Sequence, residues 1–299
     1  MKKIIVLSIL CACCSAFAAE SYTALLKQAG DLAKAKKYDE AEQAYRKAAA
    51  AGKNSDETST ALYRRADLFK QLKRYDEAAA AFEEILKVKN LTKHNQGTAW
   101  RALAQTRMLQ GKTRDAVRCY KAAGSVKAGS WIDNVANAEL AAICEKLGWY
   151  EDALAAHRAC SQAAKCSPEG KAAAYAGMVF ALAKLGKFKE AHETMDRLKD
   201  FAKGVKSPSA AINCGMAEAR LADAEKDWNH AIEVYRNVMT LPKIHYLQRR
   251  AAGNRAAAIA LRELKNIELA KTIVAELSKS DKYGVNEELK LEIKKGAKK

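Results

Sequence analysis

The sequence predicts an all-α protein, a right-handed α-solenoid of about seven helical hairpins with a C-terminal capping helix. Three observations support this fold class. An alanine recurs at steps of 37 to 40 residues, and a small residue precedes it by twelve positions in six of seven cases. An aromatic or other bulky residue stands three positions before most of these alanines, and another stands four positions after. The alanines, which define the repeat register, are Ala41, Ala78, Ala116, Ala153, Ala191, Ala231 and Ala270.

The spacing within one unit suits a pair of helices joined by a turn. Small residues twelve positions apart let two helices approach closely, and the bulky residues fill the gap to the next unit. One hairpin is too small to bury its own apolar face, so the units are expected to stack. We therefore predict that the register alanines are the packing positions of the repeat.

The turn sequences resemble those of a known family. Gly148–Ala153 and Gly186–Ala191 both read Gly-x-aromatic-x-x-Ala, and Lys73–Phe82 shows the same order with lysine first. Trp100 and Tyr175 fall where that family has an aromatic residue. Over about residues 21–280 the chain resembles the tetratricopeptide repeat, a helix-turn-helix unit. The period here exceeds the usual 34 residues, which indicates longer helices or joints.

Residues 1–19 have the pattern of a bacterial-type secretory signal peptide. Lys2 and Lys3 precede a short apolar run, and Ala16–Ala18 is an A-x-A-like cleavage site. The interpretation is an exported protein, periplasmic or in the cell envelope, cleaved near Ala18. The alternative is a lipoprotein anchored through Cys13, because Leu10–Cys13 resembles a lipoprotein box.

The remaining chain divides into residues 20–283, the repeat array, and residues 284–299, a capping helix with a basic tail. Without residues 1–18 the formal charge falls from +17 to +15, because Lys2 and Lys3 are lost and no acid is. Six cations with no intervening acid lie between residues 234 and 262. This bias makes an acidic partner a reasonable expectation.

Five cysteines follow the signal region: Cys119, Cys144, Cys160, Cys166 and Cys214. Their spacing is not that of a zinc site, and no histidine pair accompanies them. Cys144 and Cys160 fall at core positions, where cysteine behaves as a small apolar residue. Pairing of Cys160 with Cys166 in an oxidising compartment is the alternative.

No catalytic constellation is recognisable, so we expect no catalytic residues, no cofactor, no metal and no nucleic-acid ligand. Gly111–Thr113 resembles part of a phosphate-binding loop, but Thr106 stands where that loop needs glycine. His157 occupies an aromatic packing position and is predicted to lie in the core. Acid pairs such as Glu151 and Asp152 begin second helices, where they complement the helix dipole.

The resemblance implies that a concave groove, lined by the first helix of each unit, binds a protein or peptide. The groove positions of that family correspond here to Tyr63, Asp67, Lys70, Arg101, Gln105, Met108, Lys184, Met216, Arg220, Arg255 and Arg262. The lysine and asparagine with which some members hold chaperone tails are absent, since Leu26 and Gly30 stand there in the first unit. Recognition of a cytosolic chaperone is therefore disfavoured.

Two functions remain open beside the disfavoured enzyme. The first is a non-enzymatic protein-interaction scaffold acting outside the cytoplasm. The second is a binder of an anionic envelope polymer or membrane surface through the basic C-terminal half. Arg255 and Arg262 share one face of a first helix, which favours an anionic partner unless acids of neighbouring units neutralise them.

Overall fold

The computed structural model describes residues 21–129, 131–281 and 284–296. Within these residues the chain forms fifteen α-helices and no strand, so the prediction of an all-α repeat fold is confirmed. The predicted signal peptide, with Cys13 and Ala18, lies outside the described residues, as does the end of the basic tail. No helix in the described part is long and apolar enough to cross a membrane.

The chain divides into two compact units, residues 1–119 and residues 120–299, and the division falls within α6. The first unit contains α1 Tyr22–Lys34, α2 Tyr38–Ala51, α3 Ser55–Gln71, α4 Tyr75–Ile85, α5 Lys93–Leu109 and the beginning of α6 Thr113–Ser125. The second contains α7 Trp131–Leu147, α8 Tyr150–Gln162, α9 Pro168–Lys184, α10 Phe188–Lys203, α11 Pro208–Ala224, α12 Trp228–Met239, α13 Tyr246–Arg262, α14 Ile267–Ser280 and α15 Glu287–Gly296.

Every second helix of a pair begins at the same point of the repeat. Each of these seven helices begins three positions before its register alanine, at a bulky residue such as Tyr38, Tyr150 or Trp228 in every case except Thr113 of α6. All seven register alanines are fully buried, with 0% exposure. Small side chains at this position let the two helices of a pair pack closely.

The turn between the two helices has one recurring backbone feature. The residue five positions before each register alanine has a positive φ, between 53° and 73°. Glycine fills three of these positions, and a lysine fills the other four: Gly111, Gly148, Gly186, Lys36, Lys73, Lys226 and Lys265. A left-handed residue ends the first helix and reverses the chain within two further residues.

Several first helices have side-chain caps. Ser167 accepts a hydrogen bond from the backbone N–H of Gly170 and precedes Pro168, as the sequence predicts. Ser207 also precedes a proline, but its side chain makes no cap and its hydroxyl lies 2.8 Å from that of Ser209. The two Ser-Pro starts therefore have the same place in the repeat and different hydrogen bonding.

The last helix covers the end of the second unit. Val285, Leu289 and Ile293 are buried in the same apolar cluster as α13 and α14. Arg262 Nε and Nη2 donate to the carboxylate of Glu292 at 2.9 and 2.7 Å. α15 thus covers apolar surface of the final hairpin, as a cap of a repeat array must.

Candidate protein-binding faces

The first-helix face of the first unit is formed by α1, α3 and α5. Tyr63, Asp67 and Lys70 lie together there, with Lys70 Nζ 3.1 Å from Asp67 Oδ1. The ring of Tyr63 packs edge-on against Phe82 at a centroid distance of 5.4 Å. Burial raises the pKa of Tyr63, so its hydroxyl keeps its proton at neutral pH.

The other predicted groove residues of this unit lie on α5. Arg101 and Gln105 are half-buried. Met108 is 36% exposed and Leu109 is 52% exposed, so apolar surface is accessible at the end of this helix. These residues stay predictions as ligand contacts.

In the second unit, two predicted groove residues lie over one aromatic ring. The guanidinium carbon of Arg220 is 5.0 Å from the ring centroid of Phe180, and Lys184 Nζ is 5.7 Å from it. The ring of Tyr150 meets Phe180 edge-on. Within the described residues Arg220 has no carboxylate partner, so its guanidinium N–H donors are available to a ligand.

A cavity of about 300 Å³ lies where four first helices of the second unit converge. Its wall includes Met216 and Arg220 on α11, Leu247 on α13 and Ala173 on α9. Leu247 is 55% exposed, whereas Met216 is 7% exposed and forms the floor. We call this space, with its walls, the α9–α13 cavity.

The sequence did not predict the histidine in the wall of this cavity. His157 Nε2 lies 2.7 Å from Glu145 Oε1, and the side chain is 14% exposed. A Cβ on Gly177 would stand 2.2 Å from the imidazole, so the ring occupies the space that this glycine leaves free. The core prediction for His157 is corrected accordingly: its ring packs at Gly177, but its Nε2 is paired with the Glu145 carboxylate.

The basic run of the second unit is largely neutralised. Arg255 Nε and Nη2 donate to the carboxylate of Asp223, both at 2.6 Å. Arg262 is held by Glu292 in the same way, and Arg250 by Asp281 at 2.5 and 3.0 Å. Arg236 pairs with Glu276. Of the two alternatives that the sequence leaves open for Arg255 and Arg262, the structure has the neutralised one, because acids distant in sequence bind both side chains.

Three of the five described cysteines are buried, and Cys166 and Cys214 are partly buried. All five described cysteines are free, so the alternative of a Cys160–Cys166 disulfide is not formed. Burial raises the pKa of Cys144 to about 11 and that of Cys160 to about 12, which leaves both as neutral thiols. Among the described residues no group of three or more metal-ligating side chains stands together.

Residues 20–91 match the family model of the tetratricopeptide repeat. No curated protein matches the chain. The matched segment covers the first two hairpins, and the remaining hairpins continue the same register. The sequence-based resemblance to this family is thus confirmed.

Several solved structures have a fold similar to that of this chain. The C-terminal part of a TPR repeat-containing protein from Cytophaga hutchinsonii is 15% identical, covers 89% of this chain and 98% of its own, and has a TM-score of 0.53. A tetratricopeptide repeat protein from Parabacteroides merdae is 14% identical, with coverages of 92% and 98% and a TM-score of 0.52. The apo form of RapI is 12% identical, with coverages of 89% and 77% and a TM-score of 0.53. At these identities the likeness concerns the fold, which is a general protein-interaction scaffold and typically not an enzyme.

Proposed function

We propose that this chain, which carries tetratricopeptide repeats, is a non-enzymatic scaffold that holds a segment of a partner protein in the α9–α13 cavity. The observation that carries the proposal is the convergence of four first helices on one cavity with an exposed apolar rim. An extended segment crossing these helices would place one apolar side chain between Leu247 and Met216. Such central, partly enclosed anchors supply most of the affinity of a protein interface.

The charge at one end of the cavity gives the segment a direction. Arg220 is unpaired in the described structure and is held in place by Phe180, whereas Glu145 is engaged by His157. A carboxylate of the partner is therefore favoured near Arg220. An arginine that is already oriented on an aromatic ring loses little side-chain freedom when it binds a carboxylate.

The proposed place of action is the periplasm or cell envelope. Support comes from the signal-peptide pattern of residues 1–19, with cleavage near Ala18 and lipidation of Cys13 as the alternative. Binding of an anionic polymer through the basic C-terminal half has less support, because four arginines of that half are paired with carboxylates. An acidic protein segment at Arg220 needs none of those four.

The test fills the cavity without disturbing the core. Ala173 and Ala251 line the cavity and are exposed, so Ala173→Trp and Ala251→Trp place a large ring in the binding space. Ala155, exposed on the second helix α8, gives the matched control Ala155→Trp. Each protein is immobilised and used to capture ligands from a detergent-solubilised envelope fraction, with identification by mass spectrometry.

The expected result is one protein captured by the wild type and by Ala155→Trp and lost from both cavity variants. Arg220→Gln should weaken the purified complex about tenfold, the effect of losing one charge-assisted contact. Equal capture by all variants with unchanged melting curves would place the binding surface elsewhere. If the immobilised protein captured a ligand only from a cytosolic fraction and none from the envelope fraction, the proposed compartment would be contradicted.

A further inference from the structure

A second cavity, of about 290 Å³, lies on the first unit between α3 and α5. Nearly all of its lining side chains are polar, among them Ser59, Tyr63, Arg64, Asn95 and Thr98. The volume is at the lower end for ligand pockets and suits a single sugar ring. This composition differs from that of the α9–α13 cavity, where alanine, methionine and leucine make up half of the lining residues.

Hydrogen bonds within the wall fix which atoms face a ligand. Asn95 Nδ2 donates to Asp56 Oδ1 at 2.8 Å and to Ser59 Oγ at 3.2 Å, so the amide oxygen of Asn95 stays free as an acceptor. Ser59 Oγ donates to the backbone oxygen of Asp56, and Thr98 Oγ1 donates to that of His94 at 2.9 Å. The hydroxyl protons of Ser59 and Thr98 are therefore used, and their oxygens can accept further hydrogen bonds.

Tyr63 and Arg64 supply donors on the α3 side of the cavity, next to the Thr60 hydroxyl. Arg64 is exposed, and no carboxylate in the described part of the chain lies within ion-pair distance of it. The nearest acid on the same helix face, Asp67, is bound to Lys70. The Tyr63 hydroxyl keeps its proton, as described above, and makes no hydrogen bond within the described residues.

This set of atoms specifies the ligand. A carboxylate alone would pair with Arg64 and would give no proton to the Asn95 amide oxygen or to Thr98 Oγ1, the two acceptors of the wall that have no donor in the described structure. A neutral sugar would give its hydroxyl protons to those acceptors and leave the guanidinium unpaired. A sugar ring that carries a carboxylate can make both kinds of contact.

We propose that the first unit binds a carboxylated saccharide of the uronic-acid type, with its carboxylate on Arg64 and its hydroxyls on Asn95, Ser59 and Thr98. This site is separate from the α9–α13 cavity and does not depend on the protein ligand proposed there. It would let the scaffold hold an acidic polysaccharide and a protein at once.

The experiment is an NMR titration of the full mature chain with three small probes: methyl β-D-glucuronide, methyl β-D-glucoside and acetate. The glucuronide should bind in the millimolar range or tighter, and the other two at least about tenfold more weakly, because each lacks one class of contact. Shifts should centre on the backbone amides of α3 and the beginning of α5.

Two variants and one control complete the design. Arg64→Gln should reduce glucuronide affinity to that of the glucoside, and Thr98→Val should weaken both sugars alike. Arg114, exposed on the second helix α6, provides Arg114→Gln as a control with the same loss of charge. Equal affinity for acetate and glucuronide would reduce the site to a carboxylate contact and overturn the proposal. An unchanged affinity in Arg64→Gln would do the same.

Discussion

The positive-φ position in each repeat turn allows a quantitative test of the register. Gly111 has φ 73° and Gly186 has φ 71°, and a Cβ added to either would meet no heavy atom within 4 Å. A change to alanine at these positions therefore perturbs the backbone energy alone. Lys226, with φ 64°, is the equivalent residue of the sixth pair and permits the reverse change.

The expected magnitudes follow from two opposing terms. A left-handed conformation costs an L-residue about 1–2 kcal/mol relative to glycine. Replacing glycine also removes freedom from the unfolded chain, which returns about 0.4–1 kcal/mol. Gly111→Ala and Gly186→Ala should each lower the free energy of unfolding by about 1 kcal/mol. Lys226→Gly should raise it by up to about 1 kcal/mol, and Lys226→Ala should leave it nearly unchanged.

The assay is urea unfolding followed by far-UV circular dichroism. The midpoint should move while the denaturant dependence stays constant, because the surface exposed on unfolding does not change. A loss of stability in Lys226→Gly as large as that in Gly186→Ala would refute the argument. It would mean that the turns of the sixth and fifth pairs do not share one backbone conformation.

Three further predictions concern buried groups. Ala153→Glu should cost several kcal/mol, because a charge would enter a fully buried contact between helices, whereas Ala155→Glu on the exposed side should change the urea midpoint little. The raised pKa of Cys144 means that the unfolded chain loses this proton at a lower pH than the folded one. For Cys144 alone, stability should therefore fall between about pH 8.5 and 11 by up to about 1.4 kcal/mol per unit. Cys144→Ala should reduce the total loss measured in urea titrations at pH 7.5 and 10, to which Cys160 also contributes. Arg255→Ala should lower the free energy of unfolding by about 1–3 kcal/mol, because it leaves the mostly buried Asp223 without its partner. The loss should lie nearer the lower value, since Arg255 is partly exposed. An unchanged urea midpoint would contradict this prediction.

The helices and turns could be predicted from the sequence because local chemistry specifies them. The bulky residue that begins each second helix, such as Tyr150, and the alanine three positions later belong to the same turn of helix. Gly148 marks the turn by its backbone freedom, and Lys226 takes the same conformation without that mark. At Lys226 the turn is identified by its position in the repeat, because the residue type gives no sign of it.

The side-chain contacts in the candidate sites were harder to predict from the sequence, because they join residues that are far apart in the chain. Asp223 and Arg255 are separated by 32 residues, and the length of the joint between units decides whether they meet. The His157 ring fits against Gly177 only because this glycine lies in a first helix that packs on α8. Glycine within an alanine-rich helix was the one signal in the sequence that a large side chain approaches there.

The charge balance shows why net charge is a poor guide to the binding surface of this protein. Four of the eight arginines of the second unit bind carboxylates, and these pairs stabilise contacts between helices and with α15. Arg64 and Arg220, by contrast, lie on first helices beside cavities and have no carboxylate partner in the described structure. Salt would weaken both kinds of contact, so reduced binding at high salt could reflect a loosened Arg262–Glu292 pair. A salt titration of affinity therefore identifies a ligand contact only when the unfolding midpoint is measured at each salt concentration and stays constant.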